Sequence, residues 1–381
     1  MAATRESAAQ ILSALPLPLS ALAGCPARNG ATHPKDAGAV IARRLAPSAL
    51  LYVTAFATAA GLLFWMPSLG EDWHYTFYPA TTTYLAGGTR LFDTGAQGWF
   101  NPPWLLPVLV PFALLGETGG MGAWRVLGLG IVATAAILWR PRHTSPAGAL
   151  VGLAGVTASL SIWDAITTGN MDLVVLAGLS MLYLAGRRAG RLGALLAGVG
   201  LLLALIKPQV GLLPALMLLW QHRGHFRLVW EGVAAVVALG LLVGAAVAGP
   251  DWPLRWLALT PPQESYAIHN ISLPARFPGP GWTRVAAQVA AALVVLRGLE
   301  RLRGQAAVAA SVAGSFFVVP YISTPSIALV MICAWPRLLE SSRWQVRWLA
   351  AAAWAAQAAV LLRPSLGWAA GELMVLVPVL V

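Results

Sequence analysis

The chain has 381 residues, of which 58% are hydrophobic and only 10% charged, with a mean hydropathy of +0.71. A soluble domain of this size needs far less apolar surface, so the composition identifies an integral membrane protein. The net charge of +11 would suggest nucleic acid in a soluble protein; here the arginines fall in short loops, where they mark the cytoplasmic side, and no nucleic-acid partner is expected.

Residues 1–48 are Ala/Pro-rich with scattered charge and read as a disordered cytoplasmic tail ahead of a membrane domain spanning 49–381. Within the tail, "LPLSALAGC" ending at Cys25 has the look of a lipoprotein signal. Pro16 and Pro18 interrupt its apolar stretch and Glu6 offsets Arg5, so an unprocessed tail is expected. Cys25 and Cys333 lie in unrelated contexts, and neither a disulfide framework nor a cysteine metal site is indicated.

Beyond the tail, apolar runs occur at 49–66, 104–116, 121–139, 147–163, 172–186, 192–206, 209–220, 228–249, 283–298, 305–319, 326–336, 345–362 and 368–381. Their lengths, about 12 to 22 residues, and the Arg- or Pro/Gly-containing breaks between them predict an all-α, polytopic transmembrane helical bundle of about 11–13 membrane segments. Many of the 17 tryptophans lie at segment ends, where an indole suits headgroup depth. Arg43 and Arg44 place the start of the first span in the cytoplasm. The clusters Arg140/Arg142, Arg187/Arg188/Arg191, Arg223/Arg227, Arg297/Arg301/Arg303 and Arg337/Arg343/Arg347 agree with that side if one segment does not cross. The segment 104–116, short and carrying Pro107 and Pro111, is that one. Arg125 and Arg363 stand outside the pattern. With this topology the loops 67–103 and 250–282, the stretches "TTGNMD" (167–172) and "PYISTPS" (320–326), and Lys207 share the external face.

That face carries the candidate chemistry. In "GEDWHYTFYPATTTYLAGGTRLFD" (70–93), Trp73, Phe77, Tyr84 and Phe92 are spaced for a helix lying in the interface, kinked at Pro79 and ended by Gly87-Gly88. Asp72 stands where the first span ends, with Glu71 beside it and His74 and Tyr78 following. Such a carboxylate either accepts a proton from an attacking sugar hydroxyl or simply caps the helix that follows. Lys207 is one of two lysines in a chain that otherwise writes its cations as arginine. Between two apolar runs and directly before Pro208, it either snorkels to the interface or meets an anion, a phosphate above all. Asn170 and Asp172 open a span externally and suit sugar hydroxyls or a helix cap. The 250–282 loop mixes Trp252, Trp256, Glu264, Tyr266, His269, Asn270 and Arg276, a composition suited to saccharide stacking or to an ordinary interfacial loop. "NIS" at 270–272 matches a glycosylation acceptor. No nucleotide-binding glycine loop and no metal-ligand cluster is found.

The order Asp72 with "YTFYPATTTYLAGGTRLFD", "FNPPWLLPVLVPFALLG", "GNMDLVVLAGL", "ALIKPQVGLLPALMLLW" and "SLPARF" resembles membrane glycosyltransferases of the GT-C class, and within it glycosyltransferase family 87, which includes polyprenol-phosphate-mannose-dependent α-1,2-mannosyltransferases. The resemblance implies an enzyme that moves a sugar, mannose by that likeness, from a polyprenyl-phosphate-linked donor to a glycolipid or glycan acceptor hydroxyl on the external face of a cell membrane, as in a bacterial plasma membrane, with no cofactor. It gives Asp72 the part of the catalytic acid of the first loop, with Glu71 adjoining it, and gives Lys207, with Arg276, the donor phosphate. His74, Tyr78, Asn170, Asp172, His269, Asn270 and Tyr321 are the expected sugar or acceptor contacts. A transporter or flippase of a lipid-linked glycan would want a similar cavity cation, but paired broken helices in related halves are not visible in the sequence.

Overall fold

A computed structural model describes residues 54–67, 70–88, 91–93, 99–140, 152, 154–188, 190–221, 226–258, 281–300, 302–319, 322–339 and 341–362. The tail 1–48, the final run 368–381 and most of the 250–282 loop lie outside the described residues. Contacts divide the chain into Met1–Thr58 and Ala59–Val381. Of the first unit the described residues, 54–58, are helical and open α1; apart from them, all that follows concerns the second.

The architecture is an all-α membrane bundle. After α1 (Thr54–Phe64), a π-helical turn at Trp73–Phe77 runs directly into α2 (Tyr78–Leu85). Pro79 falls in the first turn of α2, where a missing N–H costs little, and Gly87, with φ +80°, ends the element. Next come α3 (Leu106–Ala113), α4 (Gly116–Trp139), α5 (Leu160–Thr168) and α6 (Asp172–Ala185). They are followed by α7 (Gly190–Ala204), α8 (Pro208–Gln221), α9 (Phe226–Ala248) and α10 (Trp252–Ala258). The last are α11 (Gly281–Leu299), α12 (Gly304–Val318), α13 (Ile327–Cys333), α14 (Trp335–Leu339) and α15 (Trp344–Leu362).

By length and composition, three helices among the described residues can cross a bilayer: α4, α11 and the part of α9 from Val229 to Ala248. The pair α5–α6 passes the same test as one span, but it is bent by 108°. Other apolar runs form shorter helices, among them α1, α7 and α12. The run 104–116 becomes a 3₁₀ turn (Pro103–Leu105) leading into α3, with Pro111 inside; the whole helix Pro103–Ala113, at about 1.5–2.0 Å per residue, is roughly 17–20 Å long, well short of a membrane. The run 147–163 was expected as one span, but its helix is interrupted at Ala158 and Ser159 and restarts as α5.

Packing places the short helices at the centre. α6 lies along α7, α7 along α9, α8 against α12, and α4 against both α3 and α6. Contact between α6 and α7 is close because small residues face each other. A Cβ on Gly178 would stand 2.6 Å from the Gly200 carbonyl oxygen, and one on Gly200 would stand 2.7 Å from the Gly178 oxygen. Without water to drive helices together, this backbone approach and the packing around it hold the pair.

A second buried cluster lies under the first-loop element: Trp73, Phe77, Trp99, Leu105, Leu109, Trp124 and Trp252 belong to it, with Tyr84 and Phe92 packed on its edge. The aromatics expected to lie among headgroups therefore point into the protein, and Trp73 is fully buried. Their burial beside α3 and α4 accounts for the difference: the loop element docks on the bundle through the rings. Its backbone is helical, as the spacing indicated.

The Gly178–Gly200 approach gives a test. Gly178→Val should destabilise the protein by about 1–3 kcal/mol through overpacking, read as a lower midpoint of thermal unfolding in detergent. Gly130→Ala, with nothing within 4 Å of the new Cβ, should not.

Candidate active site

Asp72, Asn170, Asp172 and Lys207 converge at the corner between α5 and α6. Gly169 adopts φ +80°, a left-handed conformation that costs glycine nothing, and the Asn170 N–H then donates to the Ala165 carbonyl at 3.0 Å. The chain leaves bent by 108°, with Asn170 and Asp172 on the turn.

Asp72 is brought to this corner by backbone packing. A Cβ on Gly70 would stand 2.5 and 2.7 Å from the carbonyl oxygens of Thr168 and Thr167, so only glycine lets the start of the loop element lie on the end of α5. Arg125, which departed from the charge pattern, bridges the same two pieces. It is buried, donating through Nη1 to the Met66 carbonyl at 3.0 Å and through Nη2 to that of Thr167 at 3.1 Å. Trp124 Nε1 donates to the Gly169 carbonyl at 3.0 Å. On its other side, the loop element is tied to the start of α4: Trp73 Nε1 donates to the Glu117 carbonyl at 2.9 Å, and His74 pairs with the Glu117 carboxylate.

The side chains then form one chain of contacts. Lys207 Nζ donates to Asp172 Oδ2 at 3.0 Å and to Asn170 Oδ1 at 2.7 Å. The Asp172 N–H donates to the same Asn170 oxygen at 3.0 Å, and Ser326 Oγ donates to Asp172 Oδ2 at 3.0 Å. Asn170 Nδ2 in turn donates to Asp72 Oδ2 at 2.7 Å. Two donors meet one end of the Asn170 amide, which fixes that end as the oxygen and leaves the NH2 facing Asp72. One amide thus holds a carboxylate on one side and an ammonium on the other. Lys207 sits here because α7 ends at Ala204 and Pro208 starts α8, so the chain turns at 205–207.

Burial and charge divide the roles. Asp172 is fully buried, and Lys207 retains 17% of its side-chain exposure, so the pair leaves the ammonium reachable from one side. Two of its three N–H groups are taken by described residues. Asp72 is half-buried. Its carboxyl is raised above the usual carboxylate range, first by burial and then by the negative charges of Asp172 and Glu71, while Lys207 and the Asn170 hydrogen bond oppose the rise. Glu71 is exposed. Such a site can take a proton at Asp72 and receive an anion at Lys207.

Asp72, Asn170, Asp172 and Lys207 are brought together as a group, with Glu71 at its edge. His74 instead faces Glu117, and the Tyr78 ring packs by Trp73, 6.2 Å between centroids. Arg276, His269, Asn270 and Tyr321 lie outside the described residues. Two members of the site were not singled out from sequence. Ser326 ends a stretch noted only for its place on the external face, and Asp164 directly follows the apolar run 147–163; a charge at the end of that run was the available signal. Beyond the corner, a half-open cavity of about 260 Å³ is lined only by apolar groups, including Trp104, Leu205, Trp252 and Trp256. Leu205 is two residues from Lys207.

A family profile, Glycosyltransferase family 87, matches residues 99–325. No curated protein matches the chain. A solved structure, ArnT from Cupriavidus metallidurans bound to undecaprenyl phosphate, is similar at 16% identity with a TM-score of 0.42, covering 86% of this chain and 76% of that one.

Removing the carboxylate from the Lys207 pair tests the architecture. Asp172→Ala leaves an ammonium without its ion partner and should destabilise the protein by about 2–3 kcal/mol, less than the ~3–5 kcal/mol of a wholly buried pair because Lys207 is partly exposed. Thermal unfolding in detergent reads the loss, and Asp172→Asn should recover part of it.

Proposed function

The chain belongs to glycosyltransferase family 87 and is a membrane glycosyltransferase, and we propose that it moves a hexose, mannose by the family resemblance, from a polyprenyl-phosphate-linked donor to an acceptor hydroxyl on the external face. The observation that carries this reading is the single amide of Asn170 joining a half-buried carboxylate to a partly open ammonium. A transfer with a phosphate leaving group needs both: a base for the incoming hydroxyl and a cation for the outgoing charge.

In this mechanism the acceptor oxygen attacks the anomeric carbon, and its proton passes to Asp72. The bond to the phosphate oxygen breaks, and the polyprenyl phosphate departs with its charge against Lys207. Asp172 and Asn170 hold the ammonium in place, and Ser326 orients Asp172. Asp72 is preferred over Glu71 as the base because Asn170 orients it and burial strengthens it, whereas Glu71 is exposed. The apolar cavity beside Leu205 suits the first isoprene units of a lipid donor. The external placement rests on the arginine clusters of the opposite side. A single displacement inverts the anomeric centre, so a β-linked donor yields an α-linked product.

Transfer of labelled mannose from polyprenyl-phosphate mannose in membranes containing the enzyme tests the reading. Asp72→Asn and Lys207→Met should each lower turnover by roughly a hundredfold or more at normal expression, while Glu71→Gln retains activity. Equal turnover in Asp72→Asn would remove that residue from the chemistry, and a retained anomeric configuration would exclude single displacement.

The pH dependence supplies a separate check. The base works deprotonated and its affinity for a proton is raised, so activity should rise with pH along a limb lying above the usual carboxylate range. Glu71 contributes to the rise, so in Glu71→Gln the limb should move to lower pH. A limb that stays in place would separate Glu71 from Asp72 electrostatically.

A further inference from the structure

The corner holds more negative charge than the mechanism uses. Glu71, Asp72, Asp164 and Asp172 lie within electrostatic reach of one another, with Lys207 beside them. Three of these carboxylates have a described partner or solvent: Asp172 Oδ2 accepts from Lys207 and Ser326 while its buried Oδ1 has no partner among the described residues, Asp72 Oδ2 accepts from Asn170, and Glu71 is exposed. Asp164 is half-buried, and among the described residues no donor reaches its carboxylate oxygens.

The nearby hydroxyls are spent elsewhere. Thr168 Oγ1 donates to the backbone carbonyl of Asp164 itself at 2.8 Å, Thr167 Oγ1 to that of Trp163 at 2.8 Å, and the Ser159 and Ser161 hydroxyls pair at 3.0 Å. The position is also unfavourable for a carboxylate: it lies one turn from the C-terminus of α5, where the helix dipole is negative, and beside like charges. α5 packs against the 324–326 turn that carries Ser326, and its end lies against Gly70, so Asp164 stands on the helix that forms one wall of the Asp72–Lys207 corner. A half-buried carboxylate with acceptor capacity and no protein donor is suited to a ligand that brings donors.

We propose that Asp164 is a sugar-binding residue whose carboxylate accepts hydrogen bonds from hydroxyls of a hexose held at this corner, and that it thereby sets sugar selectivity. The inference rests on the transferase reading. Adjacent hydroxyls of one sugar ring can engage both carboxylate oxygens, and a polar group left unpaired by the wrong sugar gives strong discrimination. The hexose is either the donor's or the acceptor's, and the experiment has an arm for each.

Full-length enzyme in nanodiscs is compared with Asp164→Asn and Asp164→Ala. One arm measures affinity for polyprenyl-phosphate mannose relative to polyprenyl phosphate alone; the other measures KM for methyl α-mannoside as acceptor in the transfer assay. Asp164→Ala should lose about tenfold or more in one arm, with a smaller change in kcat, and Asp164→Asn, which keeps one acceptor oxygen, should lose less. Binding of polyprenyl phosphate alone should be unchanged, and it also reports that the variants are folded. If Asp164→Ala fails that control, the Asn variant decides by the same two arms. An unchanged affinity ratio with an unchanged acceptor KM overturns the proposal, as does a fall in kcat alone, which would mark a proton carrier. A wild type that neither binds nor transfers the lipid-linked sugar overturns the transferase reading and this inference with it. An active wild type matched by both variants overturns the Asp164 role only.

Discussion

An ammonium placed inside an apolar bundle needs an anion, and the ion pair of Lys207 with the fully buried Asp172 meets that need and organises the rest of the site. Because Asp172 can reach the lysine only from the first turn of α6, α6 must begin where α7 ends. The sharp corner at Gly169 and the turn at 205–207 both serve this meeting. Ser326 adds a third piece of chain from the other end of the sequence. The pair therefore ties together segments that no continuous helix connects.

The corner is costly in backbone terms, and the surrounding structure shows how it is met. A break between helices leaves carbonyls and N–H groups without intrahelical partners, a severe penalty at membrane depth. Here the freed carbonyls of Thr167 and Gly169 accept from Arg125 and Trp124, and the Asp172 N–H finds the Asn170 side chain. Arg125 is thus a structural cation rather than a topology marker, which is why it fell outside the loop-charge pattern. The same carbonyl ends receive the Gly70 backbone, so closing the helix end and seating Asp72 are one event.

Much of this was legible in the chain itself. Composition alone identified a helical membrane protein, and the rarity of lysine drew attention to Lys207. Asp72, Asn170 and Asp172 stood out as polar residues at the edges of apolar runs. The 108° bend did not show, because hydropathy averages over a window and "SIWDAITTGNMDLVV" looks like two spans with a loop between them. Asp164, one residue past the run 147–163, fell in what looked like the loop between two spans. The inward turn of Trp73 and Phe77 was not legible because an aromatic stripe suits lipid headgroups and a protein core equally well; only the partner surface on α3 and α4 decides. His74 was grouped with the site on proximity in sequence, but the π-helical turn puts it on the side facing Glu117.

The amide of Asn170 also links the two halves of the proposed reaction. Lys207 is the largest influence holding the Asp72 carboxyl down against burial. A donor phosphate seated on the ammonium cancels part of that field, so donor binding makes Asp72 a stronger base at the moment an acceptor hydroxyl needs one. As the phosphate bond breaks, negative charge grows at Lys207 while the proton arrives at Asp72, and the two changes offset each other across a single side chain. Lys207 already has its ion partner in Asp172; the intervening amide keeps Asp72 out of that pair while transmitting orientation. That separation explains why the position is filled by an asparagine, whose two ends are a donor and an acceptor, rather than by a further charged residue.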